Sequence, residues 1–320
     1  MPGDGAIKLA ELHEAQRRAV VDFGDPPDGL AGRGIVTSIY DKELACGWVM
    51  LSELARLKVK LPVEAWHLPG ELAERHRQLV LSLDLDLTVR VLEDGVSGYA
   101  IKPFAIWRSG FREVLWIDCD NFPIRDVSFL FDDAEYREKG SLFWRDVSGA
   151  DRGVSWHPKS PVWPVFDVPF NDAEEFETGQ LLIDKSRCWK EFGLTLHFNR
   201  RGDIYHRFVH GDKDTFRLAW QNLAAKRGGA AQGGNYLADP AKVPYGFMPF
   251  GPFHMGKPNP WRKWGGGSVM VQRDRNGAPV FNHRNLFKLR LDQPNIVNND
   301  VLNEALYHQH IEALARKLRA

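Results

Sequence analysis

Val114-Leu-Trp-Ile117 is a run of four apolar residues with no polar alternation, and such a segment has to be covered on both faces. Strands of this kind belong in a parallel sheet with helices packed on either side. The run ends abruptly in Asp118, Cys119, Asp120 and Asn121, and Pro123 then forces the chain to turn. Asp118 and Asp120 are therefore expected at the carboxyl end of a buried strand, where open α/β sheets bind their ligands. Two carboxylates about 4 Å apart at an effective dielectric near 20 repel by roughly 4 kcal/mol, so the pair calls for a cation or a shared proton. Oxygen ligands of this type select Mg or Mn. The same spacing also fits a solvated turn in which one Asp caps a helix.

The charge balance narrows the partners. Lys plus Arg and Asp plus Glu both number 42, so no global field favours nucleic acid or an anionic membrane, and any anion site must be built locally. Cys46, Cys119 and Cys188 are odd in number, far apart and set among apolar residues, which reads as buried thiols in a reducing compartment. The first thirty or so residues hold a charged helical stretch, Lys8 to Asp22, and a Pro/Gly linker, Gly24 to Gly34. No run there is long and apolar enough for a signal peptide or a membrane anchor, so a cytoplasmic protein without an integral membrane segment is expected.

Strand and helix patterns alternate along the chain. Gly34 to Tyr40 reads as a strand, followed by a helix with Leu44, Trp48, Leu51 and Ala55 on one face. Val63 to Leu68, a helix over Glu71 to Ser82 and a strand over Leu87 to Leu92 continue the series, and Lys102 to Ser109, with Pro103 in its first turn, leads into the acidic strand. Later strands are expected at Ser141 to Trp144, Gln180 to Asp184 and Val269 to Gln272, and helices at Ser186 to Asn199, Asp214 to Lys226 and Val301 to Arg319. This alternation predicts an α/β fold with a doubly wound, mainly parallel sheet. The division expected is an N-terminal helical extension and linker over 1–33, one catalytic domain over 34–290, and a C-terminal helix over 291–320 packed on it. Gly228 to Gly267 is rich in Gly, Pro and aromatics with no clear period and is read as an irregular loop region, functional or mobile. Its rings (Tyr236, Tyr245, Phe247, Phe250, Phe253, Trp261, Trp264) suit sugar recognition, although clustered rings are also what a core contains.

Other polar groups flank the acidic pair. Glu177 is expected on a turn just before the apolar Leu181 to Ile183, with Gly179 allowing close backbone approach. Gly211-Asp-Lys-Asp-Thr-Phe216 is a dense polar cluster at a helix start, where Asp212 or Asp214 could simply cap. His283 follows a probable strand and could be a third metal ligand or a satisfied polar residue. Lys102 is a phosphate contact or an exposed lysine.

Several blocks recur in order: Tyr99-Ala-Ile-Lys-Pro-Phe-Ala-Ile106, Glu113 to Asp126, Phe129-Leu-Phe131, Phe143-Trp144, Glu177 to Lys185, Gly211 to Trp220 and His283-Arg-Asn-Leu286. Together they resemble the fungal α-1,3-mannosyltransferase family over roughly Gly34 to Leu289. The resemblance implies a GT-A fold and a retaining transfer of a hexose from a nucleotide-sugar donor, GDP-mannose favoured, to a carbohydrate or other hydroxyl acceptor. It also implies a divalent ion, Mn²⁺ or Mg²⁺, held by Asp118 and Asp120 and completed by His283. The fungal members are membrane-anchored, so a bacterial or otherwise cytosolic relative is expected here. Thr37, Tyr40, Lys102, Asp118, Gly179, Gln180 and Lys213 are then assigned to the donor. Glu177 is assigned to the transferring sugar and Asp212 and Asp214 to donor or acceptor hydroxyls. The alternatives are another donor such as a UDP-hexose, a metal-dependent nucleotidyltransferase or phosphohydrolase, and a carbohydrate-binding protein without turnover.

Overall fold

The computed structural model describes residues 8–146, 157–228, 240–251, 253–255, 269–285, 288–292 and 301–320. Its elements run α1 (Leu9–Asp22), β1 (Ala31–Ser38), α2 (Leu44–Arg56), β2 (Val63–His67), α3 (Glu74–Leu81), β3 (Leu87–Val91), α4 (Ile101–Arg108), β4 (Phe111–Ile117) and β5 (Asn121–Pro123). There follow α5 (Ala134–Lys139), β6 (Ser141–Arg145), α6 (Val162–Val165), β7 (Phe176–Asp184), α7 (Trp189–Arg200), α8 (Gly202–Tyr205) and α9 (Lys213–Lys226). The last elements are β8 (Gly246–Met248), β9 (Phe253–Met255), β10 (Val269–Arg273), β11 (Pro279–His283) and α10 (Glu304–Arg319).

The main sheet has seven strands in the order β3-β2-β1-β4-β7-β6-β8. β3, β2, β1 and β4 are parallel neighbours, as the alternation of strand and helix requires. β7 runs against both β4 and β6, so it is the reversed strand in an otherwise parallel sheet. The fold is therefore α/β with the expected doubly wound, mainly parallel sheet.

Successive residues of the central strands enter opposite cores. Val36, Val114, Trp116, Leu181 and Ile183 face the core made with α4, α7 and α9. Ile35, Leu115, Ile117 and Leu182 face the core made with α2 and α10. This two-sided burial is the reason β4 carries no polar alternation, and each large side chain so buried contributes roughly 1.5–3 kcal/mol. The N-terminal helix is tied in as well, because Gln16, fully buried on α1, donates to Val165 O at 2.9 Å and lies 3.2 Å from the Tyr205 hydroxyl. α10 is tied to the core on the other side of the sheet: Asn282 donates to the Tyr307 hydroxyl and Trp48 donates to His310 O.

Three local expectations change. Part of the presumed linker belongs to the sheet, since β1 starts at Ala31 and pairs there with Phe111. Glu177 lies inside β7 rather than on a turn, because the antiparallel ladder with β4 and β6 carries the strand back to Phe176. The stretch after Gly228 contributes β8 to the main sheet and β9 to a smaller one. Of its rings, Tyr245 is core, packed edge-on against Phe143 and Phe176, whereas Phe250 is exposed. Tyr236, Trp261 and Trp264 and the side chain of Phe253 lie outside the described residues. Among the described residues, no helix is long and apolar enough to cross a membrane.

Candidate functional site

A second, antiparallel sheet builds the site. Its order is β5-β11-β10-β9, and β5 leaves directly from the turn after β4. Asn121 pairs with His283 across β5 and β11, and Arg284 N donates to Asp120 O at 2.8 Å. A histidine 163 positions downstream is thereby set beside the acidic turn. On the other side, Asp118 N donates to Gly179 O at 2.7 Å, and Asn121 donates to Gly179 O and to Gln180 Oε1. These backbone anchors fix both aspartates at the carboxyl end of β4.

One ligand atom each of Asp118, Asp120 and His283 lies within 4.8 Å of the others. Two carboxylates and an imidazole suit a hard or borderline divalent ion, and ligands on opposite sides of such an ion stand roughly 4 Å apart. The donor set therefore fits a cation after a small contraction.

Basic groups lie against the acids. Asp120 Oδ1 is 3.4 Å from His283 Nε2, and its Oδ2 is 2.9 Å from Lys288 Nζ. Burial pushes the Asp120 carboxyl up, but His283 and Lys288 outweigh it and hold the group well below the usual carboxylate range. Burial likewise opposes charge on His283, yet Glu177 and Asp120 dominate and raise its pKa to about 9. Asp118 receives Trp116 Nε1 at 2.6 Å and has Lys102 Nζ at 3.3 Å. Residues 116 and 118 point to the same face, the period-two rule of a strand. Metal entry has to displace Lys288 from Asp120 and remove the proton from the His283 nitrogen that faces it.

Glu177 is placed behind the histidine. Its Oε1 accepts from Gly179 N at 2.8 Å and stands 3.4 Å from His283 Nδ1, the ring nitrogen turned away from Asp120. Burial raises its pKa, while the charge on His283 lowers it. Gly179 makes this packing feasible: a Cβ there would sit 2.5 Å from His283 Cε1 and 2.6 Å from Nδ1. Gly179→Ala is accordingly expected to displace the imidazole and weaken divalent-cation binding by at least about tenfold, for roughly 1–3 kcal/mol of lost stability. Calorimetric titration with Mn²⁺ beside a thermal melt measures both. Unchanged cation affinity would remove His283 from the ligand set.

A cleft of about 640 Å³ opens over this point, between the chain ends after β1, β2 and β4. Tyr40, Glu71, Tyr99, Lys102, Asp118 and Asp120 contribute to its wall, with Asp212 and Lys288. The sequence-predicted residues divide accordingly. Tyr40, Lys102, Asp118, Asp120 and Asp212 reach the cleft. Thr37 is fully buried in β1, Gln180 is held by Asn121, and Glu177, Gly179 and His283 form the wall behind the acidic turn. Asp214 is buried in the first turn of α9, and burial pushes its pKa up to about 6 against the pull of Lys213 and Arg217. Lys213 is paired with Asp146 and Glu175. Lys102 donates to Thr178 O at 2.7 Å and to Thr178 Oγ1 at 3.0 Å and bridges Asp118 and Asp212. Trp116 and Lys288 were not legible as site residues, although the strand period offered a signal for Trp116.

The family model and the curated relatives agree on mannosyl transfer. A family model described as "Mannosyltransferase putative" matches residues 32–157 and 167–227. The chain is similar to the α-1,2-mannosyltransferase MNN2 of Saccharomyces cerevisiae, at 24% identity over 68% of this chain and 44% of that protein. It is also similar to the α-1,2-mannosyltransferase MNN24 of Candida albicans, at 28% identity over 43% of this chain and 24% of that protein. The chain thus spans less than half the length of these curated relatives. Among solved structures it is similar to the apo form of the glycosyltransferase GlyE of Streptococcus pneumoniae, with a TM-score of 0.43 and 16% identity over 77% of this chain and 59% of that one. The relatives are named for α-1,2 transfer, whereas the sequence blocks resembled α-1,3 enzymes, and the level common to both is mannosyl transfer. Matched by its model over more than half of its length, through the acidic turn and the β7 wall that supports it, the chain belongs to this mannosyltransferase family.

Proposed function

We propose that the protein is a metal-dependent glycosyltransferase that moves a hexose, mannose from GDP-mannose, to a hydroxyl of a carbohydrate or glycosylated acceptor with retention of configuration. The observation that carries this reading is the convergence of Asp118, Asp120 and His283 on one point beneath the cleft. Membership of the mannosyltransferase family supports the sugar, and the relatives' names favour an α-1,2 linkage. The buried free thiols Cys46, Cys119 and Cys188 support a cytosolic setting.

In this reading Asp118, Asp120 and His283 hold Mn²⁺ or Mg²⁺, which supplies charge stabilisation at the donor's diphosphate as the sugar–phosphate bond breaks. Lys102 positions Asp118 and neutralises Asp212, leaving Asp212 on the wall where hydroxyls of donor or acceptor are bound. Tyr40 lines the donor side. Glu177 positions His283 from behind, its carboxylate facing the ring nitrogen that does not meet the cation. With Glu177 so engaged, same-face attack is the favoured route to retention. The C1–O bond to phosphate breaks, the acceptor oxygen bonds to C1, and the acceptor proton passes to the leaving phosphate oxygen.

The test incubates the protein and Mn²⁺ with a panel of nucleotide sugars. Release of GDP from GDP-mannose, lost on chelation, is the expected result. Release from a UDP-hexose instead would reassign the donor, pyrophosphate as product would point to nucleotidyl transfer, and carbohydrate binding without turnover would make this a binding protein.

A further inference from the structure

The site holds two lysines against three aspartates, and the lysines are not equivalent. Lys102 is 8% exposed at its side chain, and its three ammonium hydrogens face five oxygens, from Thr178, Asp118 and Asp212. Moving it would leave Asp118 and Asp212 uncompensated in a buried setting. Lys288 is 29% exposed, lines the cleft, and has Asp120 Oδ2 at 2.9 Å, with Glu43 no nearer than 3.9 Å. Its backbone is anchored by the next residue: Leu289 is 1% exposed and its carbonyl accepts the Cys46 thiol at 3.4 Å. A fixed backbone carrying a half-buried ammonium on a flexible four-carbon stem is suited to exchange one anion for another.

A divalent ion on Asp118 and Asp120 would cancel both of their charges, and the attraction that holds Lys288 to Asp120 Oδ2 would fall with them. Among the described residues Lys288 then has Glu43, at 3.9 Å, as its acidic neighbour, and a half-buried ammonium without a close anion is costly. We propose that Lys288 is a leaving-group contact, its ammonium passing from Asp120 to a phosphoryl oxygen of the donor's diphosphate when the cation binds. The inference rests on the nucleotide-sugar reading of the cleft. Lys288 would thus be a catalytic residue that stabilises charge on the departing diphosphate beside the cation.

The proposal carries opposite signs for two affinities. In Lys288→Met, Mn²⁺ alone should bind as well as in the wild type or several-fold more tightly, because a competing cation has been removed from Asp120. GDP and inorganic pyrophosphate, titrated into Mn²⁺-loaded protein, should bind at least about tenfold more weakly, and Lys288→Arg should restore part of that loss. Calorimetry on the full chain reads all three. Diphosphate affinity within twofold of wild type in Lys288→Met would overturn the proposal, as would Mn²⁺ affinity falling in step with the melting temperature, the mark of a structural lysine. A wild-type protein that binds neither GDP nor pyrophosphate would instead overturn the nucleotide-sugar reading, and this inference with it.

Discussion

Asp120→Asn is expected to abolish cation-dependent turnover, by at least about 10³-fold, because it removes a charge the ion requires and the ion carries the main electrostatic stabilisation of the leaving group. The structure adds a second consequence. Asp120 is buried between His283 and Lys288, with its carboxyl held well below the usual range, so its ionised form stabilises the metal-free fold. Taking the charge away leaves the buried His283 and the half-buried Lys288 facing a neutral amide, a loss of about 3 kcal/mol where one partner of a buried pair is removed. Asp118→Asn should be nearly as inactive but more stable, since its oxygen can still accept from Trp116 Nε1 and its side chain is 27% exposed. Initial rates across a Mn²⁺ series, with melting temperatures of the same samples, separate the two effects. Near-normal activity with unchanged metal demand in either variant would sink the metal assignment.

The second large effect is expected from Glu177→Gln. The substitution is nearly isosteric, so the strand and the bond from Gly179 N can persist while the charge beside His283 Nδ1 is lost. An outer-shell partner of a ligand histidine usually affects metal affinity by about 10- to 100-fold. Mn²⁺ binding should therefore weaken by that order, and turnover at low Mn²⁺ should fall with it and recover substantially at saturating metal. A carboxylate that acts on the sugar would give the contrary pattern, with metal and donor affinities unchanged and the transfer step slow at any Mn²⁺ concentration. Mn²⁺ titration beside single-turnover transfer distinguishes the roles, and the second pattern would return Glu177 to the reaction centre.

Which parts of this site could be read from the chain follows from distance along it. The acidic turn was legible because strand end, carboxylates and breaker lie within ten residues, Val114 to Pro123, and local rules of burial and turn chemistry act on that scale. Lys102 was legible as charged and near the turn in sequence, but its role depended on Thr178 and Asp212, which approach it only in the folded sheet. Glu177 reads as a turn residue because it precedes a short apolar run, whereas the antiparallel ladder carries the strand back to Phe176; the close approach that Gly179 signals is real, and the His283 ring makes it. Lys288 carried no local signal at all, since nothing in its neighbourhood along the chain says that its side chain meets Asp120.

By itself the sequence determined the periodicities. The two-sided apolar run of β4, the strand–helix alternation and the placement of Asp118 and Asp120 at a strand end follow from side-chain pattern and backbone preference, which depend on near neighbours. Only the tertiary structure decided the reversed direction of β7, the pairing of β5 with β11 that brings His283 to Asp120, and the allotment of Lys102 to Asp118 and Lys288 to Asp120. Those outcomes come from strand pairing and buried charge compensation between residues far apart in the chain, and such energies exist only once the two cores have closed around the sheet.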